Sequence, residues 1–230
     1  MHEPRSPRFT TVARPPHVWR EADIAERTTL EAFIADGYAR EHGATLTHFQ
    51  PRLFGLWRDE ELQAALGLCN AGHASLFLER YLEAPIERRL AEVAGVPCIA
   101  RHQVIEVGNL VTLRPGLLRP LIVMLIGTLI DEGMQWLTFT ATTQVRNAFH
   151  RLGLEAWPLA EADPARLGQQ RHAWGRYYTH APQVMGGDLR RAWQLLGSGA
   201  PSQAIVTLPP ARRTGMRSDG ASASIAQARG

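Results

Sequence analysis

Glu106, Gly108 and Asn109 interrupt the stretch QVIEVGNLVTLRPG, residues 103–116, which otherwise reads as a buried strand. A carboxylate in such a place is costly unless it is paired or hydrogen-bonded. An interior glycine weakens a strand and marks a bulge or the close approach of another group. In a regular strand Val104, Glu106, Gly108 and Leu110 share one face, and Ile105, Val107, Asn109 and Val111 share the other. A bulge at Gly108 shifts the register by one and brings Glu106 and Asn109 to a common face. It also frees a backbone group to meet a ligand, such as a carbonyl that needs a donor. The competing use of Glu106 is structural: pairing with a buried arginine, or capping a neighbouring helix. The residues leave both uses open.

LRPGLLRP, residues 113–120, leads from this strand into a helix. Helix N-termini collect anions, because their free N–H groups point outward. Arg114, Gly116 and Arg119 suit a phosphate there; the plain alternative is a strand-to-helix turn with solvated arginines. Glu79, Glu83 and Glu87 recur every four residues, but Pro85 breaks a helix that would align them. A solvated, ion-paired face is the usual reading of such a run. His102 lies four residues before Glu106, as a base beside its orienter or as a surface histidine. HExxH and EF-hand patterns are missing, so no metal site is expected; GxSxG, P-loop and GxGxxG are missing too, which weighs against an α/β-hydrolase, an NTPase and a classical Rossmann dehydrogenase.

The elements that must position these residues follow from periodicity. A first strand is expected over 17–22 and a helix over 27–43 with Leu30, Phe33, Ile34 and Tyr38 at helical spacing. Strands follow over 52–58 and 62–71, joined by the acidic turn DEE, then a helical segment over 75–95 broken near Pro85. The strand at 100–113 leads to a helix over 116–133, a strand over 136–142, a helix over 143–154 and a strand over 155–161. An extended segment over 175–188 and a short helix over 189–196 close the unit. Strand, helix, strand, helix, strand implies a βαβ unit. The predicted fold is α/β with a mixed central sheet and helices on both faces.

All 25 basic residues are arginine, and the net charge is +3. Residues 1–20 hold four arginines and one glutamate; residues 197–230 hold four arginines and one aspartate. The body between is net acidic, so the charge predicts no nucleic-acid groove. Residues 1–16 read as a disordered Arg/Pro-rich arm, 17–196 as one domain, and 197–230 as a flexible tail. Cys69 and Cys98 read as reduced, buried thiols. The N-terminus lacks the apolar core of a secretory signal. The apolar run at 121–130 is about half the ~20 residues that span a bilayer. A cytoplasmic protein is expected.

FLERYL (77–82) with PIE (85–87), IEVGNL (105–110), FTAT (139–142), FHRLGL (149–154) and WGRYY (174–178) together resemble the thermostable hemolysin family, over about residues 20–195. That family is similar in fold to the GNAT acyltransferases and, more closely, to acyl-homoserine-lactone synthases. The resemblance implies a GNAT-like domain in which the strand segment Glu106, Val107, Gly108, Asn109 and Leu110 receives the pantetheine arm of an acyl thioester. Asn109 stands where the lactone synthases carry arginine. LRPGLLR replaces the usual pyrophosphate loop, which is consistent with an acyl carrier protein donor in place of acyl-CoA. Phe149 stands where a tyrosine acid often sits, so proton donation passes to Tyr177, Tyr178 or Glu106. Glu79, Thr140 and Arg146, in or beside these motifs, are the residues expected to touch the acceptor.

The expected activity is acyl transfer from a CoA or acyl-carrier-protein thioester to an amine or hydroxyl, with no tightly bound cofactor. Glu106 would be the base and a backbone N–H beside Gly108 the donor to the thioester carbonyl. The alternative is a non-enzymatic, membrane-active or lipid-binding protein on the same scaffold, touching anionic membrane through its arginine-rich ends. Acyl chain, acceptor and oligomeric state are not legible.

Overall fold

The computed structural model describes residues 17–197 and 205–207. The strands are β1 (His17–Glu21), β2 (Arg52–Arg58), β3 (Glu61–Asn70), β4 (Val104–Thr112), β5 (Trp136–Ala141), β6 (Trp157–Glu161), β7 (Gln183–Asp188) and β8 (Ile205–Thr207). They form one sheet in the order β6-β7-β5-β4-β3-β2-β1-β8. β4 with β5, and β1 with β8, run parallel; the other neighbours are antiparallel. β2 and β3 are nearly continuous apolar runs because both faces of the sheet are covered. The acidic turn between them has Asp59 and Glu60 at φ 50° and 62°. Positive φ at two successive turn residues matches the twist of a tight hairpin.

α1 (Ile24–His42) starts at a capping box, in which Asp23 accepts from the N–H groups of Ala25 and Glu26. Its Leu30 and Ile34 pack on Leu53, Ala65 and Val111. α2 (Ile86–Ala94) covers the same face over β4 and β7, through Ile86 and Leu90 against Val104 and Val184. α3 (Leu118–Asp131), α4 (Thr143–Arg151) and α5 (Leu189–Gly197) belong to the other face. There α3 buries Leu121, Ile122, Leu125, Ile126 and Leu129, one helical stripe. This is the expected mixed sheet with helices on both faces. Among the described residues, no helix is long and apolar enough to cross a membrane.

Three expectations change. The segment 175–188 is extended only over β7; before it the chain forms 3₁₀ turns at Pro164–Trp174 and Tyr177–His180. Gly168, with φ of 56°, kinks the first of these, and Gly175, with φ of 52°, ends it before the second. A Cβ on Gly175 would stand 2.3 Å from the His42 carbonyl oxygen. That close approach straps 173–176 onto the end of α1, where Arg176 N–H donates to His42 at 2.7 Å and Thr45 N–H to Ala173 at 2.6 Å. The tail read as flexible over 197–230 contributes the last residue of α5 and β8; the rest of it, like the arm 1–16, lies outside the described residues. Cys98 is exposed rather than buried, because it sits in the loop after α2; both cysteines are free thiols.

Candidate active site

β4 leaves its ladder with β3 where the sequence departs from a strand. Gly67 pairs with Gly108 and Ala65 with Val111, so Asn109 and Leu110 together face Leu66. This is a bulge. It lies one residue beyond the predicted Gly108: Asn109 takes the left-handed conformation at φ 53°, which asparagine tolerates better than most residues. The expected consequence follows. Asn109 turns to the face of Glu106, where its Oδ1 accepts the Gln50 backbone N–H at 2.8 Å. Gly108 has a different task. A Cβ there would stand 2.9 Å from Gln50 Nε2, and one on Gly67 would stand 2.5 Å from Gln50 Cβ. The two glycines form a trough along which the Gln50 carboxamide reaches the Glu106 carboxylate.

The parallel pairing of β4 with β5 ends at Val107 and Phe139, although β4 continues to Thr112. A cavity of about 160 Å³ opens from this splay, between β4, β5, α3 and α4, lined by Val107, Leu110, Leu121, Ile122, Phe139 and Phe149 among others. A second cavity, of about 50 Å³, lies on the Glu106 side, with Gln50, Phe77, Tyr81 and Trp174 in its wall. The two share Tyr38, Val107, Gly108, Asn109, Thr140 and Tyr177. The bulge therefore lies in the wall common to both.

Glu106 is 3% exposed. Its oxygens accept the backbone N–H groups of Phe77 at 2.7 Å and Leu78 at 3.1 Å, at the start of the 3₁₀ turn Phe77–Tyr81. The capping use raised from the sequence is thus real, and it coexists with the wall position. Burial pushes the Glu106 carboxyl up to about 7, against the pull of those two N–H groups and Gln50; the Glu79 charge adds to the rise. It is poised to exchange a proton near neutral pH.

Tyr177 lines both cavities, and its hydroxyl donates to the Thr140 carbonyl at 3.3 Å. Burial, then Tyr38 and Tyr178, hold its phenol far above the ordinary value, so it is a neutral donor. Tyr178 faces neither cavity: its hydroxyl meets Tyr81 at 2.5 Å. Thr140 lines both cavities with a buried Oγ1 that has no partner among the described residues. Glu79 is enclosed elsewhere. It forms a bidentate pair with Arg101, at 2.6 and 2.7 Å, and accepts the N–H groups of Leu76 and Ile86. Burial pushes its carboxyl up, but Arg101 and these N–H groups outweigh that and hold it below the usual range. Glu87 joins Arg101 at 2.7 Å, while Glu83 pairs with Arg166. Arg146 spends its guanidinium on the Ala141 and Ala181 carbonyls and Thr143 Oγ1. Of the three expected acceptor contacts, Glu79 and Arg146 are thus engaged as structural clamps here, and Thr140 alone lines the cavities. His102 is exposed, in the 3₁₀ turn before β4.

Arg114 and Gly116 are exposed where Pro115–Leu117 turns into α3. Arg119 lines an open recess of about 420 Å³ with Arg151. That recess shares Glu41, Thr112, Leu118 and Gln144 with the first cavity, so the two adjoin. The sequence assigns no site role to Arg151, Tyr38, His42, Gln50 or Trp174, although Arg151 and Trp174 lie within FHRLGL and WGRYY and Tyr38 on the apolar stripe of α1. No local pattern brings them together, since the chain crosses itself to do so. His42 is 8% exposed, and burial pulls its imidazole below the ordinary value, with Glu41 opposing and His180 and Arg176 adding. Among the described residues, no three His, Cys, Asp or Glu side chains gather as metal ligands.

The chain matches the family model described as thermostable hemolysin over residues 20–193. No significant sequence similarity to a curated protein is found. Among solved structures, the chain is similar to FeeM, an N-acyl amino acid synthase from uncultured soil microbes: TM-score 0.55, 18% identity, 77% of this chain and 93% of that one. It is similar to BjaI, a CoA-dependent acyl-homoserine lactone synthase solved with SAM and isopentyl-CoA: TM-score 0.54, 13% identity, 85% and 94% covered. It is also similar to the AHL synthase LasI: TM-score 0.54, 11% identity, 82% and 98% covered. These likenesses show a shared GNAT-like fold.

Proposed function

The chain belongs to the thermostable hemolysin family, and from the geometry of its two adjoining cavities we propose that it is an acyltransferase using a thioester donor. The observation that carries this reading is the bulge at Gly108 and Asn109, where a splayed sheet sets an apolar cavity beside a small one walled by Glu106. The names of the structures it resembles, an N-acyl amino acid synthase and a CoA-dependent acyl-homoserine lactone synthase, support the same class.

In this reading the acyl chain lies among Leu121, Ile122, Leu125 and Phe149, and the thioester carbonyl sits at the unpaired stretch of β4. A backbone N–H freed by the bulge donates to the carbonyl oxygen. The arm leaves by the recess at Arg119 and Arg151, where either CoA or a carrier-protein phosphopantetheine would place a phosphate. An ammonium in the second cavity gives one proton to Glu106. The nitrogen lone pair attacks the carbonyl carbon, and the C–S bond breaks. Tyr177 gives its proton to the departing sulfur and takes the remaining surplus proton from nitrogen, while Glu106 releases its own to solvent. The products are an amide, a thiol and one proton.

The test is native mass spectrometry after incubation with acyl-CoAs and acyl carrier proteins, followed by a transfer assay. A bound thioester is expected with wild type and with Glu106→Gln, and transfer only with wild type. No bound thioester, or full transfer by the variant, would overturn the reading. The membrane-active alternative rests on the arginine-rich ends, 1–20 and 197–230, which fall largely outside the described residues.

A further inference from the structure

The second cavity has a wall that acyl transfer as such does not require. Around Glu106 stand the rings of Tyr38, His48, Phe77, Tyr81, Trp174 and Tyr177. They touch in sequence: His48 with Phe77 at 6.1 Å between centroids, Phe77 with Trp174 at 5.4 Å, and Trp174 with Tyr177 at 5.3 Å. Tyr38 meets Tyr177 at 6.3 Å, and Tyr81 meets Phe77 at 6.1 Å. Ring faces attract an ammonium, and do so most when the site is dry. The volume of about 50 Å³ admits only a few heavy atoms.

No arginine among the described residues lines this space. Arg80 stands over the Phe77 ring, 4.9 Å from its centroid, with its guanidinium bonded to Gln170. A carboxylate on the same carbon as the amine would therefore enter beside Glu106 without a guanidinium to meet it. Like charges in a dry site repel strongly, and an unpaired buried carboxylate is expensive.

Resting on the acyltransferase reading, we propose that the second cavity receives the terminal aminomethyl group of a primary amine with no carboxylate on the amine-bearing carbon. The rings hold the ammonium, and Glu106 takes its proton. The exclusion of amino acids comes from the missing counter-charge rather than from size alone.

The experiment uses the full chain at pH 8, with octanoyl-CoA or octanoyl-acyl carrier protein, whichever binds. Phenethylamine, tyramine and isoamylamine are compared with phenylalanine, tyrosine and leucine. The amines should be acylated with kcat/KM at least ~10-fold above their amino-acid counterparts. Equal or better use of the amino acids overturns the proposal and leaves acyl transfer standing. A bound thioester with none of the six acylated also overturns it, without touching the donor site. If no thioester binds, the acyltransferase reading fails and this proposal with it. Trp174→Leu should raise KM for phenethylamine ~10-fold with thioester binding unchanged, and Trp174→Phe should restore most of the loss. An unchanged KM in a folded Trp174→Leu protein would show that the rings do not hold the amine.

Discussion

The Asn109 side-chain oxygen accepts the Gln50 backbone N–H at 2.8 Å, joining the bulge of β4 to the loop between α1 and β2. One residue thereby supplies the left-handed backbone of the bulge and fixes the segment whose carboxamide reaches Glu106. Asn109→Ala loses both features and should lower stability by about 1–3 kcal/mol. Asn109→Gly keeps the backbone freedom and should lose less. Urea midpoints of the two variants, with transfer rates alongside, check the ranking. Equal stability of Asn109→Ala and wild type would refute it.

Glu106 should impose a pH dependence of opposite sign on activity and on stability. Its folded value of about 7 lies above the ordinary 4.5. Its stability contribution is therefore fully present below about 4.5 and is lost as pH rises through 7, on the order of 3 kcal/mol in all. Activity needs the ionised form and should rise with pH through about 7. Glu106→Gln should abolish transfer and gain stability relative to wild type at pH 8 compared with pH 5. Paired unfolding curves at both pH values decide this.

Glu79 should behave in the reverse way. Arg101 and two backbone N–H groups hold its carboxyl below 4.5, so its contribution is present above that value and is lost as pH falls through the depressed one. Glu79→Gln should cost stability at pH 7 and loosen the 3₁₀ turn that supplies the Phe77 and Leu78 N–H groups to Glu106. Direct substrate contact by Glu79 would instead raise KM with the unfolding midpoint unchanged.

Phe139 and Phe149 stack with centroids 4.6 Å apart. They line the first cavity and also two recesses beyond it, toward Trp157 and toward Leu189. This pair is the floor on which an acyl chain would end. Phe149→Leu should move the preferred acyl thioester to longer chains by at least two carbons, with moderate loss of stability. A chain-length series of acyl thioesters measures it; an unchanged optimum would place the acyl chain elsewhere.

Local patterning in the sequence determined much of this protein. Alternation, apolar runs and glycine or proline stops placed β1 to β5, α1, α3 and α4 within a few residues, because each element's burial repeats at its own period. The polar interruption at Glu106, Gly108 and Asn109 marked the bulge, since a regular buried strand has no use for those residues. Only the tertiary structure decided which neighbours meet there. Gln50, Tyr38, His42 and Trp174 come from segments distant in sequence, and no local period predicts a contact made by the chain folding back on itself. It also separated Tyr177 from Tyr178 and withdrew Glu79 and Arg146 into clamps. A side chain's chemistry is written in its type, but whether it faces a cavity or a carbonyl depends on what packs against it.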